Sequence, residues 1–330
     1  MDNMPLFTIR NISGADCYLN TALQCLLAIR TLNNKIMDPH LRWRSEGDLR
    51  KDTIKSALLD EYRDRLLDEY RDRLLEAKEK MLREGAPKGA TYKINYDFKD
   101  FKDIFISLSR FREGRQQDSG EALIFILNNF VEKEPFLREE IQYSIQEIHI
   151  CYPCGKRRNE EEKAITLMLK PPIPQRGIRS VALEDLIFAY TEMDTPEAKC
   201  DECGNRNTSS LKIEKKLFHD VRGETIMPRN LVILFNRTSY TEGRNNIEIS
   251  VPIQWQIPGD DKRIWSYSIE AYGIHGGEGS SMSCGHYETH VKKNGRWFSI
   301  SDISLVVEEK NIVGNRVLSN GITSAIYSRQ

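Results

Sequence analysis

The sequence predicts an α+β fold, with helices in the first part of the chain and strands in the remainder. Between residues 17 and 30, apolar residues recur at the i, i+3, i+4, i+7 spacing of a helix that buries one face. The stretch "QQDSGEALIFILNNF" at 116–130 predicts a second helix. After residue 140 the pattern changes to strand-like segments such as "IQYSIQEIHI" and "LVILF", with one helical interlude near "ALEDLIFAY".

The composition indicates an intracellular protein, cytoplasmic or nuclear. The 330 residues include 48 basic and 49 acidic ones without a polybasic block, so general attraction to nucleic acid or membrane is not expected. No signal peptide is predicted, and the longest apolar runs are too short to span a bilayer. Seven cysteines, four of them in CxxC pairs, favour reduced thiols and metal over disulfides.

An exact repeat lies in the first part of the chain. The segment "LLDEYRDR" at 58–65 recurs unchanged at 66–73. Its apolar residues recur every four positions, so the apolar stripe drifts by about 40° per four residues and is not expected to stay buried along its length. A partner-binding coiled segment and a duplication that lengthened a solvated helix are the two interpretations. Two copies are too few for a coiled coil, so we favour the solvated helix.

Two CxxC pairs, each followed by glycine, predict a zinc site. Four thiolates form the tetrahedral shell that zinc prefers, and a shell made only of protein ligands is structural. Because 45 residues separate the pairs, they must meet through a long β excursion. Unrelated loop pairs and a redox role are the alternatives, although neither pair opens a helix in a βαβ unit. The predicted ligands of this single Zn²⁺ are Cys151, Cys154, Cys200 and Cys203.

Two further cysteines lie in the first predicted helix. Cys25 borders the leucine stripe and is interpreted as a small buried hydrophobic residue. Cys17 follows the loop-like run "SGAD", with Asp16 as a capping candidate, and stands at the first turn of the helix. Unpaired N–H groups there favour a thiolate, whereas an ionised Asp16 opposes it. These features alone leave Cys17 open between a catalytic and a structural role.

A candidate base lies near the end of the chain. His286 begins an alternating strand that turns at "KNG" and returns through Trp297. Such a hairpin places residues 299–302 beside His286, where one of them could orient the imidazole. A structural histidine is the alternative interpretation. Four other histidines lack a comparable context and are interpreted as structural: His149, His219, His275 and His290.

Taken in chain order, these stretches resemble the ubiquitin-specific protease family of papain-like cysteine deubiquitinases. "GADCYLNTALQCL" resembles its Cys box, "QQDSGEAL" its QQD box, and the CxxC knuckles its zinc ribbon. "IMPRNLVILFNR" resembles the "LPxxLxxxLxRF" strand, "CGHYETHVKKNGRWFSISD" the His box, and "SAIYSRQ" the closing strand. Six motifs in the correct order make the resemblance specific.

The resemblance implies a single catalytic domain over residues 1–330, shaped as a hand. The helical thumb would occupy about 1–137, with the duplicated insertion near 58–83, and the β-rich fingers and palm about 138–330. Cys17 would attack the carbonyl of the last glycine of ubiquitin or a related modifier and form an acyl-enzyme, with His286 as base. The expected partners are that modifier and its conjugates, without nucleic acid or membrane, and the expected state is a monomer. The resemblance assigns contacts with the substrate tail to Gln24, Gln117, Asp118, Glu121 and Tyr287.

The sequence departs from the family pattern beside both catalytic positions. The acidic or amide third residue of the triad is replaced by Ser301, with Asp302 next, and only one of two successive strand residues readily meets the imidazole. Ile12 holds the place of the asparagine that binds the oxyanion. The candidate donors are therefore Asn11, one residue earlier in a shifted loop, Asn20, or backbone amides. Two smaller departures are Asp16 for the usual Thr and Ala122 for the usual Phe.

These departures leave a second hypothesis open. A catalytically weak or inactive ubiquitin-binding module would keep the grip on the modifier without the chemistry. A zinc-ribbon nucleic-acid binder is a third and weaker hypothesis, because the charges beside the knuckles are mixed.

Overall fold

The structure is a computed structural model, and it confirms the α+β class. It describes residues 6–37, 54–83, 93–96, 98–112, 114–133, 135–174, 179–192, 200–204, 211–239, 243–259, 262–277, 285–307 and 311–330.

Helices dominate the first part of the chain, and a short 3₁₀ turn at Pro135–Leu137 precedes α6. Within the described ranges, no helix combines the length and apolar character needed to cross a membrane. The α-helices are α1 (Cys17–Ala28), α2 (Arg30–Ile36), α3 (Ile54–Arg83), α4 (Lys99–Leu108), α5 (Ser119–Lys133), α6 (Arg138–Ile141) and α7 (Leu183–Thr191).

Strands dominate the second part, as the alternating segments predict. The described strands are β1 (Leu6–Ile9), β2 (Lys93–Tyr96), β3 (Tyr143–Cys151), β4 (Arg157–Ala164), β5 (Leu167–Leu169), β6 (Ser180–Ala182), β7 (Leu211–Leu217), β8 (Asn230–Phe235), β9 (Thr238–Ser239), β10 (Gly243–Arg244), β11 (Glu248–Pro252), β12 (Gln254–Pro258), β13 (Ile264–Gly276), β14 (His286–Lys293), β15 (Arg296–Ser301), β16 (Ser304–Val307), β17 (Ile312–Val313), β18 (Arg316–Ser319) and β19 (Ile322–Arg329).

The largest sheet forms the platform on which the helices pack. Its order is β16-β15-β14-β13-β19-β8-β5, and β12 adds to β13. The hairpin β14–β15 is antiparallel and pairs Thr289 with Ile300, as the sequence predicts. Smaller sheets have the orders β17-β18-β11-β6, β4-β3-β7, β1-β2 and β10-β9.

Helix α1 is buried between the other helices and this sheet. It contacts α5 on one side and β13, β14 and β19 on the other. Every residue of α1 except Leu27 is buried, so the prediction of a single buried face is too narrow. This central position brings the first turn of α1 against the start of β14.

Helix α3 contains the duplicated sequence and belongs to the core. Leu66, Tyr70, Leu74 and Ala77 are fully buried, and α3 packs on α4 and α5. The interpretation of a solvated helix is therefore wrong for the second copy. The three-residue step from Leu74 to Ala77 turns the stripe back, so the net drift from Leu66 is roughly 20°. In the first copy, the structure describes the side chain of Arg65, which is exposed, and the side chains of residues 58–64 lie outside the described residues.

Candidate active site

The sulfur of Cys17 lies inside the protein at the first turn of α1. Cys17 is 3 % exposed. Asp16 stands at the N-cap position, but its side chain makes no capping hydrogen bond. Its carboxylate instead accepts hydrogen bonds from the backbone of Ile12 and Ser13. The sequence-based expectation that Asp16 caps the helix is therefore wrong.

The surroundings of Cys17 favour a neutral thiol at rest. Burial raises the pKa of the Cys17 thiol, and the carboxylate of Asp302 raises it further. The backbone amides of Tyr287 and Tyr18 act in the opposite direction. The expectation that the helix start favours the thiolate is thus correct for the local amides and wrong for the net shift. Cys17 needs a base to become a nucleophile.

His286 stands next to the residue whose backbone meets the thiol. The amide of Tyr287 reaches the sulfur of Cys17, and His286 is the preceding residue of β14. Nε2 of His286 lies 2.7 Å from Oγ of Ser301. A hydrogen bond from Nε2–H to this hydroxyl would leave Nδ1 unprotonated and able to accept a proton.

Asp302 approaches the same imidazole from the adjacent turn. Its Oδ2 lies 3.9 Å from Nε2 of His286. Strand β15 ends at Ser301, and Asp302 adopts the left-handed conformation with φ 49°. The rule that successive strand residues face opposite sides ends with the strand. Ser301, the last residue of the strand, makes the direct contact that alternation predicts for one of the two residues, and Asp302 stands farther from the imidazole, beyond the strand.

Two asparagines hold the carboxylate of Asp302. Nδ2 of Asn11 donates to Oδ2 over 3.1 Å, and Nδ2 of Asn20 donates to Oδ1 over 2.8 Å. The backbone amide of Asp16 donates to Oδ1 of Asn11 over 3.0 Å. Ile12, in contrast, is 45 % exposed. The side chain that faces Asp302 is thus that of Asn11.

The loop accommodates the changed spacing through a tight turn. Gly14 has a φ of 78°, in the left-handed region that favours glycine. Oγ of Ser13 and the backbone amides of Ile12 and Ser13 all donate to the carboxylate of Asp16. As a result, the side chain of Ile12 lies at the surface and that of Asn11 points towards Asp302.

Part of the expected tail-binding set lies beside these residues. Gln24, Tyr287 and Asp302 line one narrow crevice between α1 and β14. Asp118 caps α5 by accepting the backbone N–H groups of Gly120 and Glu121 at 2.7 and 3.0 Å. Burial raises the pKa of Asp118.

The remaining acidic and amide residues of this set lie at the start of α5. Desolvation by the surrounding protein, and then the charge of Asp118, raise the pKa of Glu121 even though its side chain is largely open to solvent. Gln117 is half-buried in the segment before α5.

Two residues near the site, His275 and Gln116, are not predicted from the sequence as site residues, and His275 is interpreted there as structural. His275 pairs with Tyr287 across β13 and β14, and its Nε2 lies 3.1 Å from Nε2 of Gln116. Burial, with the nearby charge of Arg244, lowers the pKa of His275 to about 4. The antiparallel register of the two strands is the signal that could have found His275.

The four cysteines of the CxxC pairs converge at the end of the sheet β4-β3-β7. Cys151 and Cys203 lie 3.8 Å apart between sulfurs, as do Cys154 and Cys200, and all four sulfurs lie within 4.8 Å of one another. A tetrahedron with Zn–S bonds of 2.3 Å has S···S edges of about 3.8 Å. The donor set and its spacing therefore fit a zinc ion.

Glycine makes each of these knuckles geometrically feasible. Gly155 and Gly204 adopt φ values of 70° and 69° and donate their N–H groups to the carbonyls of Cys151 and Cys200. These left-handed positions explain why each CxxC pair is followed by glycine.

Comparison with known proteins identifies the family of the chain. Residues 9–325 match the family model described as ubiquitin carboxyl-terminal hydrolase. The chain belongs to this family, whose ubiquitin-specific protease members have a papain-like fold.

Individual relatives match at low identity. A Schizosaccharomyces pombe protein named ubiquitin carboxyl-terminal hydrolase 11 is 23 % identical over 303 residues, covering 91 % of this chain and 78 % of its own length. Mouse ubiquitin carboxyl-terminal hydrolase 3 is 23 % identical over 50 % of this chain and 34 % of its own length. Human ubiquitin carboxyl-terminal hydrolase 21 is 26 % identical over 50 % of this chain and 29 % of its own length. The matched region thus spans about a third of the last two relatives.

Proposed function

We propose that the protein is a thiol-dependent deubiquitinase that hydrolyses the isopeptide bond after the C-terminal glycine of ubiquitin. The observation that supports this proposal is the packing of α1, which begins at Cys17, against β14, which begins at His286. Family membership supports ubiquitin or its conjugates as substrate.

The first half of the reaction forms an acyl-enzyme. Nδ1 of His286 takes the proton of the Cys17 thiol, and the thiolate attacks the carbonyl carbon of the glycine. The C=O π electrons move to oxygen, and the tetrahedral intermediate collapses by breaking the C–N bond. His286 returns its proton to the leaving lysine amine, and a thioester remains on Cys17.

The second half releases the modifier. Water replaces the amine in the site and loses a proton to His286 as it attacks the thioester carbonyl. The C–S bond breaks, His286 protonates the sulfur, and the modifier leaves with a free carboxylate. The same imidazole thus serves as base and acid in both halves.

Ser301 and Asp302 divide the role of the third triad residue in this proposal. The hydroxyl of Ser301 orients the imidazole at 2.7 Å, and the carboxylate of Asp302 supplies negative charge from 3.9 Å. A hydroxyl alone stabilises an imidazolium less than a carboxylate does.

Asn11 is the proposed oxyanion donor. Its Nδ2 group carries two N–H bonds, and the contact with Asp302 uses one of them. The amide held between Asp16 and Asp302 is fixed before the substrate arrives, which is what a preorganised oxyanion donor requires.

The substrate tail would contact Gln24, Gln117, Asp118, Glu121 and Tyr287, as the resemblance implies.

Zinc bound by the four clustered cysteines would fix the end of the finger sheet β4-β3-β7. All four ligands are protein thiolates, so no coordination position is left for water. All six cysteines that the structure describes are free, which supports the intracellular location, cytoplasmic or nuclear. A single domain with its thumb ending near residue 137, and a monomer without nucleic acid or membrane partners, complete the proposal.

Turnover of ubiquitin carrying a fluorogenic amine on its C-terminal glycine tests the function. The wild-type chain should release the fluorophore, whereas Cys17→Ala and His286→Ala should not. Ubiquitin binding without any release by the wild-type chain would support the binding-module hypothesis instead. The same assay with other ubiquitin-like modifiers identifies the preferred substrate.

A further inference from the structure

The loop before Cys17 is built around a carboxylate with several donors. Asp16 accepts hydrogen bonds from the backbone of Ile12 and Ser13 at 3.2 and 3.1 Å and from Oγ of Ser13 at 2.6 Å. Its side chain is only 15 % exposed. A partly buried carboxylate of this kind is costly to charge unless a cation lies close to it.

Lys102 supplies that cation from a different element. This residue lies in α4, and its ammonium donates to the carbonyl of Arg10 over 2.7 Å and to Oδ2 of Asp16 over 3.4 Å. Lys102 is 6 % exposed. Its two contacts join both ends of the loop, just after β1 and just before α1.

The position of Lys102 is itself fixed by the core of the helical region. The neighbouring Phe101 is fully buried and packs against Tyr70 of α3, with ring centroids 6.1 Å apart. Oδ2 of Asp100 in α4 lies 3.5 Å from Nη2 of Arg73 in α3. The second copy of the duplicated sequence thus supports the helix from which Lys102 reaches the loop.

The loop that Lys102 holds carries the groups around the thiol. The backbone amide of Asp16 fixes Oδ1 of Asn11, and Nδ2 of Asn11 contacts Asp302. A shift of the segment between Arg10 and Asp16 would therefore move the amide of Asn11 away from Asp302. Asp16 also directly precedes Cys17 in sequence.

We infer that Lys102 is a positioning residue for the reaction at Cys17, acting through Asp16 and the carbonyl of Arg10 to hold Asn11 in place. The inference rests on the proposed function for its kinetic consequence. It also explains why Asp is acceptable beside the nucleophile, since Lys102 compensates its charge.

A merely stabilising ion pair makes a different prediction. Its loss would lower the free energy of unfolding and leave the kinetics of the folded fraction unchanged. A positioning role instead lowers kcat of the folded enzyme while ubiquitin binding stays the same, because Lys102 holds the loop and lies in a helix behind it.

The kinetic test uses Lys102→Met, which keeps most of the apolar stem and removes the charge. We expect kcat for the fluorogenic ubiquitin substrate to fall by about tenfold or more, since complete loss of an oxyanion donor costs about 10²–10³ in rate and a displaced donor loses part of that effect. KM should stay within about twofold, as should the Kd of ubiquitin for Cys17→Ala compared with Cys17→Ala/Lys102→Met.

A double-mutant cycle with Asp16→Asn separates coupling from independent effects. If Lys102 acts through Asp16, the double variant should be no slower than the slower single variant, whereas independent contributions multiply. The double variant removes both charges of the Lys102–Asp16 pair, so neither is left buried without its partner. It can therefore be measured even if Lys102→Met does not fold.

One readout does not need turnover. The side-chain amide resonances of Asn11, assigned by their loss in Asn11→Asp, should shift and exchange faster in Lys102→Met or in the double variant. Unchanged Asn11 resonances together with a kcat within about twofold of wild type would overturn the inference. If the wild-type chain has no hydrolytic activity, the proposed function fails, and the Asn11 resonances alone decide whether Lys102 positions the loop.

Discussion

The hydroxyl of Ser301 contacts the imidazole of His286 directly, with Oγ 2.7 Å from Nε2. The carboxylate of Asp302 stands farther from the same nitrogen, at 3.9 Å, and accepts hydrogen bonds from Asn11 and Asn20. In the proposed mechanism, orientation and charge therefore come from two neighbouring residues rather than from one.

Replacing Ser301 tests the orienting contact. We expect Ser301→Ala to lower kcat/KM by about three- to tenfold, because a single hydrogen bond contributes about 0.5–1.5 kcal/mol. Ser304→Ala is the matched control, since Ser304 pairs with Ser301 across the turn and is exposed. Steady-state kinetics on fluorogenic ubiquitin compares them. Equal rates for both variants and wild type would show that Ser301 does not orient His286.

The charge of Asp302 should set the reactivity of Cys17 towards small reagents. A nearby carboxylate disfavours the thiolate and raises the pKa of Cys17. Removing that charge in Asp302→Asn should lower this pKa, so alkylation by iodoacetamide should begin at lower pH than in wild type. The rate measured across pH, with Cys17→Ala as background, gives the shift. A midpoint that stays or rises would contradict the electrostatic role of Asp302.

Two adjacent residues in the loop before Cys17, Asn11 and Ile12, provide a test variant and a matched control for the proposed oxyanion donor. Asn11→Ala should lower kcat by about 10²–10³, the usual effect of losing one oxyanion donor. Ile12→Ala should stay near wild type, because Ile12 is 45 % exposed and turned away. Stopped-flow or steady-state kinetics on fluorogenic ubiquitin compares the two variants. Similar small effects at both positions would leave backbone amides as the donors.

Metal analysis tests the cysteine cluster apart from catalysis. We expect one zinc per chain by elemental mass spectrometry, and a strong loss of zinc in Cys154→Ser/Cys200→Ser. A chelator should increase hydrogen exchange in β3, β4 and β7, the strands that carry or adjoin the knuckles. Exchange in β14 and β15 should change little. Purified chains without zinc but with full protection of β3 would contradict a structural metal.

Two leucines that follow the second copy test whether α3, the helix that contains the duplicated sequence, belongs to the core. Leu74 is fully buried, whereas Leu82 is 68 % exposed. Leu74→Ala should lower the free energy of unfolding by about 2–5 kcal/mol, and Leu82→Ala should change it by less than about 0.5 kcal/mol. Urea unfolding measures both. Equal small effects would mean that α3 is not part of the core.

The sequence predicted the α+β class, the β14–β15 hairpin and the cysteine cluster because local patterns determine them. Alternation around "KNG" predicts a hairpin, and CxxC followed by glycine predicts a knuckle that turns two thiols to one side. Neither inference depends on how distant elements pack.

Features set by long-range packing escaped prediction. The burial of Tyr70 depends on Phe101 and Phe130, which lie in other helices. The joint approach of Ser301 and Asp302 depends on one left-handed residue after the strand, which alternation does not reveal. The net pKa shift of Cys17 depends on burial between α1 and the sheet.

Covalent capture tests the central proposal most directly. Ubiquitin with a thiol-reactive group in place of its C-terminal carboxylate is incubated with the wild-type chain, and the product is measured by intact mass and peptide mapping. Cys25 is an internal control in the same helix, because it is fully buried and burial raises its pKa to about 12. We predict a single ubiquitin adduct on Cys17 that is absent in Cys17→Ala. Ubiquitin that binds without forming an adduct, or an adduct on another cysteine, would contradict the assignment of Cys17 as the nucleophile.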